Sequence, residues 1–199
     1  MDTGKLIGCK STHCYGDKQK IKMELVVSIL RHFLPPKMAT EHDISLSADS
    51  LGSPRLSTSL PVALDVSFSY CRDRIWAVIA LDYPIGIDVE NKESFSSSYP
   101  LSRVFSKREQ LKFSEIAACR SSAAAALWTC KEAVAKSMKS GFNTIDPRDL
   151  SIGKIKRIHD RFYIEILADR KYSAVVEEEL HCWRSIAGPC PMSTENCYE

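Results

Sequence analysis

The N-terminal part of the chain carries one hydrophobic pattern of helical spacing, over residues 21–34. Apolar residues recur there three and four positions apart, which places them on one face of a helix. The Pro35-Pro36 pair ends this pattern, because proline lacks the backbone N–H that a helix interior uses. From Ile44 to Leu64 the sequence is rich in Ser, Pro and Gly, and it predicts a short strand followed by a loop.

The middle of the chain contains three short runs with the composition of β-strands. Val66–Ser69 and Ile75–Leu81 are enriched in β-branched and aromatic residues. After a break at Tyr83-Pro84, the run Ile85–Glu90 alternates between apolar side chains and small or acidic ones. Such alternation is typical of a strand whose two faces meet different surroundings.

Helical patterns return after residue 105. Ser106–Glu109 has the form of a capping box and predicts a helix that continues to about Cys119. Ser121–Ser140 is the strongest helical segment, since it is rich in alanine and contains neither Gly nor Pro. Gly141 is expected to end it.

The last regular pattern is extended. Residues 162–167 and 172–176 flank a four-residue turn and predict a hairpin, and Trp183 falls on a further strand. Residues 188–199 are expected to form a flexible tail. Helix, strands, two helices and a hairpin, in this order, predict an α+β fold.

Composition excludes several classes of protein. The chain has 199 residues, and its 27 Lys and Arg residues nearly balance 25 Asp and Glu residues, so no global field favours nucleic acid. Uncharged runs are about half as long as a membrane-spanning helix, and the N-terminus lacks the apolar core of a secretory signal. We therefore expect a cytoplasmic protein without a membrane or nucleic-acid partner.

The eight cysteines are expected to be free thiols, since a cytoplasmic chain of this length can build its own core. Cys9, His13 and Cys14 resemble half of a zinc knuckle, but the sequence offers no second ligand pair at finger spacing. We do not predict zinc there.

Two acidic positions have a defined geometry. Asp88 and Glu90 lie two residues apart on the predicted strand, hence on one face and roughly 7 Å apart along the backbone. Glu132 and Lys136 lie four residues apart on the predicted helix and share a face. Each pair alone is also typical of an exposed, solvated surface. Together, carboxylates for a hard cation and an ammonium group for an anion suit phosphoryl transfer.

The spacing between these pairs resembles a known signature. Gly86–Glu90 reads Gly-Ile-Asp-Val-Glu, and 44 residues after Asp88 comes Glu132 within Trp128–Lys136, which reads Trp-Thr-Cys-Lys-Glu-Ala-Val-Ala-Lys. This pattern resembles the 4′-phosphopantetheinyl transferase superfamily, and the resemblance extends over about residues 20–155. The length is similar to that of the larger, two-half members of the surfactin-synthetase-activating type.

The resemblance implies a fold, a reaction and a ligand set. It implies two pseudo-symmetric halves, each a helix on a small antiparallel sheet, with a first half over residues 1–84, a second over 85–187 and coenzyme A in the cleft between them. Members transfer 4′-phosphopantetheine from coenzyme A to a carrier-protein serine and release 3′,5′-ADP. Asp88, Glu90 and Glu132 match the magnesium ligands, and Glu132 also matches the base, acting directly or through water.

Further residues match positions that contact coenzyme A. The resemblance assigns Lys136 to its phosphates, with Lys131 as helper. It also places Ser69, Tyr70, Arg55 and Arg31 in segments that bind the nucleotide. Where members have Ser-His this chain has Ser69-Tyr70, and Ser53 stands where a lysine helps to hold the 3′-phosphate.

The resemblance also implies a partner. Residues 103–139 contain eight basic and three acidic residues, which suits an acidic acyl or peptidyl carrier protein of fatty-acid or secondary-metabolite biosynthesis. We expect a monomeric enzyme. The alternatives are a catalytically impaired member that binds coenzyme A or a carrier protein in a regulatory role, and a metal-dependent phosphohydrolase.

Overall fold

The computed structural model describes residues 5–33, 44–59, 61–95, 98–142 and 144–190. Within them the chain forms ten strands, four α-helices and two short 3-10 helices. In chain order the strands and α-helices are β1 (Lys5–His13), α1 (Lys18–Phe33), β2 (Ile44–Ala48), β3 (Pro54–Thr58), β4 (Leu64–Cys71), β5 (Arg74–Leu81), β6 (Gly86–Asn91), α2 (Lys107–Gln110), α3 (Phe113–Ile116), α4 (Arg120–Ser137), β7 (Ser151–Ile158), β8 (Arg161–Leu167), β9 (Lys171–Glu178) and β10 (Cys182–Pro189).

The strands form three antiparallel sheets. One has the order β1-β5-β4, one is the β2-β3 hairpin, and the largest has the order β6-β10-β9-β8-β7. Helix α1 packs on the three-stranded sheet through fully buried residues such as Ile29 and Leu30. Helix α4 packs on the five-stranded sheet through its alanines and Leu127. The predicted α+β class is therefore confirmed.

Side chains of β4 join the two larger sheets at β6. Three alternate side chains of β4 accept hydrogen bonds from backbone N–H groups of β6 or of the residue just before it, in each case 20 residues later in the chain. The pairs are Asp65 with Ile85 at 2.7 Å, Ser67 with Ile87 at 3.2 Å and Ser69 with Val89 at 3.0 Å. Strand β6 is thus held between β4 and β10, with its position along β4 fixed.

Several predicted elements are confirmed and others need correction. The 162–167 and 172–176 hairpin is present as β8 and β9, and Trp183 lies on β10. The capping box at Ser106 and Glu109 forms, but the helix that it begins is interrupted after Gln110 and resumes as α3. The segment predicted as one strand and a loop is the β2-β3 hairpin.

The two chain ends also differ from expectation. Strand β1 pairs with β5, although no sequence pattern predicted it. Gly188 and Pro189 continue β10 rather than beginning a tail, and the remainder of the predicted tail, residues 191–199, lies outside the described residues. In the described part of the chain no helix is long and apolar enough to cross a membrane. Six of the cysteines that the structure describes, Cys9, Cys14, Cys71, Cys119, Cys130 and Cys182, are free thiols.

Gly86 allows β6 to lie directly against α4. A Cβ atom at this position would be 1.9 Å from the backbone oxygen of Ala133 and 2.7 Å from the backbone nitrogen of Ser137. Neither atom can rotate away, since both belong to the backbone of a buried helix. The glycine of the Gly-Ile-Asp motif therefore sets the distance between the two elements that carry the acidic residues.

Replacing Gly86 by Ala is expected to destabilise the protein by an amount at the upper end of the roughly 1–3 kcal/mol that overpacking a core costs. Urea denaturation measures this loss. Gly16→Ala is the control, because a Cβ there meets no atom within 4 Å and meets only the strain of a φ of 99°. A Gly86→Ala protein as stable as the Gly16→Ala protein would contradict the close approach.

Candidate functional site

Asp88 lies at the centre of the site, on β6 where the strand passes α4. Its side chain is buried, and its Oδ1 atom accepts hydrogen bonds from Ser69 Oγ at 3.0 Å and from Lys136 Nζ at 2.7 Å. Lys136 also donates to the Ile87 backbone oxygen at 3.1 Å. Strand β6 therefore carries the carboxylate, and strand β4 and helix α4 each donate one hydrogen bond to it.

Glu132 and Glu90 carry the second and third carboxylates. Burial, together with the negative charges of Asp88 and Glu90 and against the positive charge of Lys136, raises the pKa of Glu132 to about 7. Burial also raises the pKa of Glu90, against a hydrogen bond of 2.7 Å that Ser94 Oγ donates to its Oε2 atom. The charge of Asp88 thus contributes to the raised pKa of both glutamates.

Their oxygen atoms are not gathered around one point, however. Within the described residues no group of three His, Cys, Asp or Glu side chains is arranged to hold a metal ion. Asp88 Oδ1 is occupied by Ser69 and Lys136, whereas Asp88 Oδ2 is buried and has no hydrogen-bond partner. An orphaned carboxylate oxygen beside two further carboxylates fits a hard cation such as magnesium, which takes oxygen ligands.

A cavity of about 310 Å³ lies on the other side of Lys136, and we call it the Tyr70 cavity. It is bounded by α1, the β2-β3 hairpin, β4 and the C-terminal end of α4. Its polar lining includes Gln19, Lys22, Ser53, Tyr70, Lys136 and Lys139. Lys136 therefore faces both the carboxylates and a space large enough for part of a nucleotide.

The comparisons with known proteins agree with this arrangement. A model of the 4′-phosphopantetheinyl transferase superfamily matches residues 84–188, more than half of the chain. The chain belongs to this superfamily. No match is found among curated proteins. The superfamily region contains β6, α4 and the three carboxylates, whereas Lys22, Ser53 and Tyr70 lie before it.

Lys131, which the resemblance assigned as a helper of Lys136, lies away from the superfamily site. Its side chain is fully buried, and its Nζ atom lies 2.8 Å from Glu109 Oε1. The same Nζ donates to the backbone oxygens of Val104 and Pro147. Lys131 is the neighbour of Glu132 on α4, but its side chain points into the protein. From there it cannot assist Lys136 with a bound phosphate.

Ser69 also has a different place from the one predicted. Its buried hydroxyl donates to Asp88 and accepts from the Val89 backbone N–H, so both of its main hydrogen-bonding directions are used within the protein. In the structure this hydroxyl positions Asp88. Its partner in the motif, Tyr70, is 41% exposed and lines the Tyr70 cavity.

The two predicted arginines lie outside that cavity. Arg55 Nη2 is 3.2 Å from Asp49 Oδ2, and its side chain lines a separate pocket beside Lys139. Arg31 lines a groove between α1 and β2 that also contains Lys20. The structure does not bring either arginine together with Lys136.

Trp128, the first residue of the helical motif, is partly buried and packs against the core. Its ring lies 4.9 Å from that of Phe142 and 6.0 Å from that of Phe95, measured between centroids. It therefore supports the face of α4 that carries Glu132.

Sequence reasoning missed two contributors to the site. Ser94 holds Glu90, and Lys22 projects from α1 toward Tyr70. The spacing of Lys18 and Lys22 on one face of α1 was a usable signal for the second, but only tertiary structure shows that this face meets Tyr70.

Proposed function

We propose that this protein transfers the 4′-phosphopantetheine group of coenzyme A to a serine of an acyl or peptidyl carrier protein, in a magnesium-dependent reaction that releases 3′,5′-ADP. Membership of the superfamily supports phosphopantetheinyl transfer in general. The observation that carries the finer proposal is the buried, unpartnered Asp88 Oδ2 among three interacting carboxylates, with Lys136 at the edge of a cavity.

Asp88, Glu90 and Glu132 would hold the magnesium ion in this proposal. When bound, the ion neutralises charge on the pyrophosphate of coenzyme A and so makes the phosphorus more open to attack. Ser69 and Lys136 keep the Asp88 carboxylate in a single orientation, and Ser94 does the same for Glu90. The chain thus holds two of the three ligands in place through its own hydrogen bonds.

Glu132 takes the proton from the carrier serine. Its carboxylate accepts this proton as the serine oxygen forms a bond to the β-phosphorus, and the bond from that phosphorus to the bridging oxygen breaks. The electron pair remains on 3′,5′-ADP, which leaves. In the protein without a metal ion, burial and the neighbouring acids raise the pKa of this carboxyl group to about 7, which makes it a stronger base than an ordinary glutamate.

Lys136 stabilises the phosphoryl group that is transferred. Its Nζ is fixed between Asp88 and the Ile87 carbonyl, and its side chain is 29% exposed toward the cavity. A pre-positioned ammonium group favours a transition state in which negative charge spreads over phosphoryl oxygens.

The surface before α4 supports an acidic partner. Arg103, Lys107, Arg108 and Arg120 are exposed there, whereas Lys131, Lys136 and Lys139 are paired with carboxylates. The effective basic surface is therefore smaller than the sequence count indicates, and it lies around α2 and the start of α4. We propose that an acidic carrier protein docks on this surface.

We also propose the larger, two-half arrangement for this chain, with residues 1–84 and 85–187 as the halves. The strands of the three-stranded sheet and helix α1 lie in the first range. The strands of the five-stranded sheet and helix α4 lie in the second, apart from the last two residues of β10. The contacts of β4 with β6 support a seam at Asp88.

The proposed function is tested by incubating the protein with coenzyme A and an apo carrier protein, and measuring the carrier's intact mass. We expect addition of one phosphopantetheine arm with magnesium present and none with a chelator. A carrier whose acceptor serine is replaced by Ala is the control. Binding of coenzyme A without any addition would favour the regulatory alternative, and release of inorganic phosphate would favour a phosphohydrolase.

A further inference from the structure

The Tyr70 cavity contains a cation from α1 that lies before the superfamily match. The Nζ atom of Lys22 is 5.2 Å from the ring centroid of Phe68 and 5.6 Å from that of Tyr70. An aromatic face attracts an ammonium group without neutralising its charge. The rings therefore hold Lys22 at the cavity wall while its full positive charge remains available.

Lys18 adds a second positive charge at the same ring. Its Nζ lies 5.2 Å from the Tyr70 centroid, and it precedes Lys22 by one helical turn. Like charges four residues apart on a helix repel each other. An anion bound between the two ammonium groups would offset this repulsion. The pair of lysines therefore favours binding of an anionic ligand.

The other two lysines of the cavity differ from Lys22. Lys136 Nζ is 2.7 Å from Asp88 Oδ1, and Lys139 Nζ is 2.6 Å from Asp65 Oδ1. For Lys22 the structure gives no carboxylate partner among the described residues. Among these three lysines, Lys22 is therefore the one whose charge can attract a ligand anion without competition from an acidic side chain of the described residues.

We infer that Lys22, assisted by Lys18, binds the 3′-phosphate of coenzyme A, in place of the lysine and histidine whose positions are occupied by Ser53 and Tyr70. Both positions lie in the same cavity as Lys22. The positive charge has thus moved from the hairpin and β4 to the helix that faces them. This inference rests on the proposed function, since it assumes that coenzyme A is the nucleotide bound.

The test is calorimetric titration with coenzyme A and with dephospho-coenzyme A, which lacks only the 3′-phosphate. We expect the unmodified protein to bind coenzyme A about tenfold or more tightly than the dephospho compound, as the loss of a charge-assisted hydrogen bond predicts. Lys22→Gln is expected to reduce this preference to less than about threefold, while the affinity for the dephospho compound stays nearly unchanged.

Two further variants serve as controls for the effect of Lys22→Gln. Lys20→Gln is the matched control, because Lys20 is exposed on the same helix and lines the separate groove with Arg31. Lys20→Gln and Lys22→Arg should both retain the preference. A Lys22→Gln protein that keeps the full preference, or an unmodified protein that has none, would overturn the inference.

Failure of the proposed function gives a different result. An unmodified protein that prefers coenzyme A through Lys22 but adds nothing to a carrier would overturn the transfer reaction and leave the phosphate contact standing. Transfer with an unaltered preference in Lys22→Gln would overturn the contact alone. An unmodified protein that binds neither compound would overturn both.

Discussion

Replacing Glu132 by Gln is expected to slow phosphopantetheine transfer by about 10²–10⁴-fold, the range that a positioned general base contributes. The amide cannot accept the serine proton, and it is a weaker ligand for a hard cation than a carboxylate. Initial rates of carrier modification at saturating magnesium measure the loss.

The stability of the same variant separates a chemical effect from unfolding. Glu132 is partly buried, and the charges of Asp88 and Glu90 disfavour its ionised form. In magnesium-free buffer at pH 8 the Gln variant should therefore melt at the same temperature as the unmodified protein or above it. Glu115→Gln is the control, since Glu115 is exposed on α3 and should keep full activity. Full activity in Glu132→Gln would exclude Glu132 as the base.

Replacing Lys131 by Met is expected to cost roughly 3–5 kcal/mol of unfolding free energy, because it leaves the Glu109 carboxylate buried without its counter-charge. The side chains of Lys131 and Glu109 are 0% and 4% exposed. Glu109 also accepts hydrogen bonds from the backbone N–H groups of Ser106 and Ile152, so its position cannot easily relax. Urea denaturation at pH 7 measures the loss.

A double-mutant cycle and a surface control support the assignment. Glu109→Gln added to Lys131→Met should recover part of the loss, since it removes the unpaired charge. Lys154→Met, at an exposed position of β7, should change stability by less than about 0.5 kcal/mol. Equal effects of Lys131→Met and Lys154→Met would contradict a buried ion pair.

The ion pair of Lys131 and Glu109 also predicts that the free energy of unfolding falls at acid pH. Burial opposes the ionisation of Glu109, but Lys131 and the two backbone N–H groups outweigh it and hold the pKa of Glu109 below its usual value. A carboxyl group whose pKa is lowered on folding stabilises the protein above its unfolded pKa and loses that contribution as pH falls through the folded value. Unfolding free energy should therefore decline below about pH 4.5, and it should decline less in Glu109→Gln.

Sequence alone determined the strand that carries Asp88 and Glu90, the helix that carries Glu132 and Lys136, and the hairpin of β8 and β9. Local periodicity is sufficient for such elements, since alternation and helical spacing depend on neighbours in the chain. The spacing of the acidic motif also indicated the superfamily, which the family match then showed. Because both acidic elements are rigid, their side chains could be assigned to faces before the fold was known.

Only the tertiary structure decided which residues share a space. Lys131 precedes Glu132 by one position, yet its side chain turns inward because Glu109 lies beneath that face of α4. Ser69 holds Asp88 because the register of β4 against β6 places its hydroxyl there. Lys22 meets Tyr70 only because α1 packs across β4. These contacts join positions separated by 19 to 48 residues, and packing between elements, unlike periodicity within one, leaves no local pattern in the sequence.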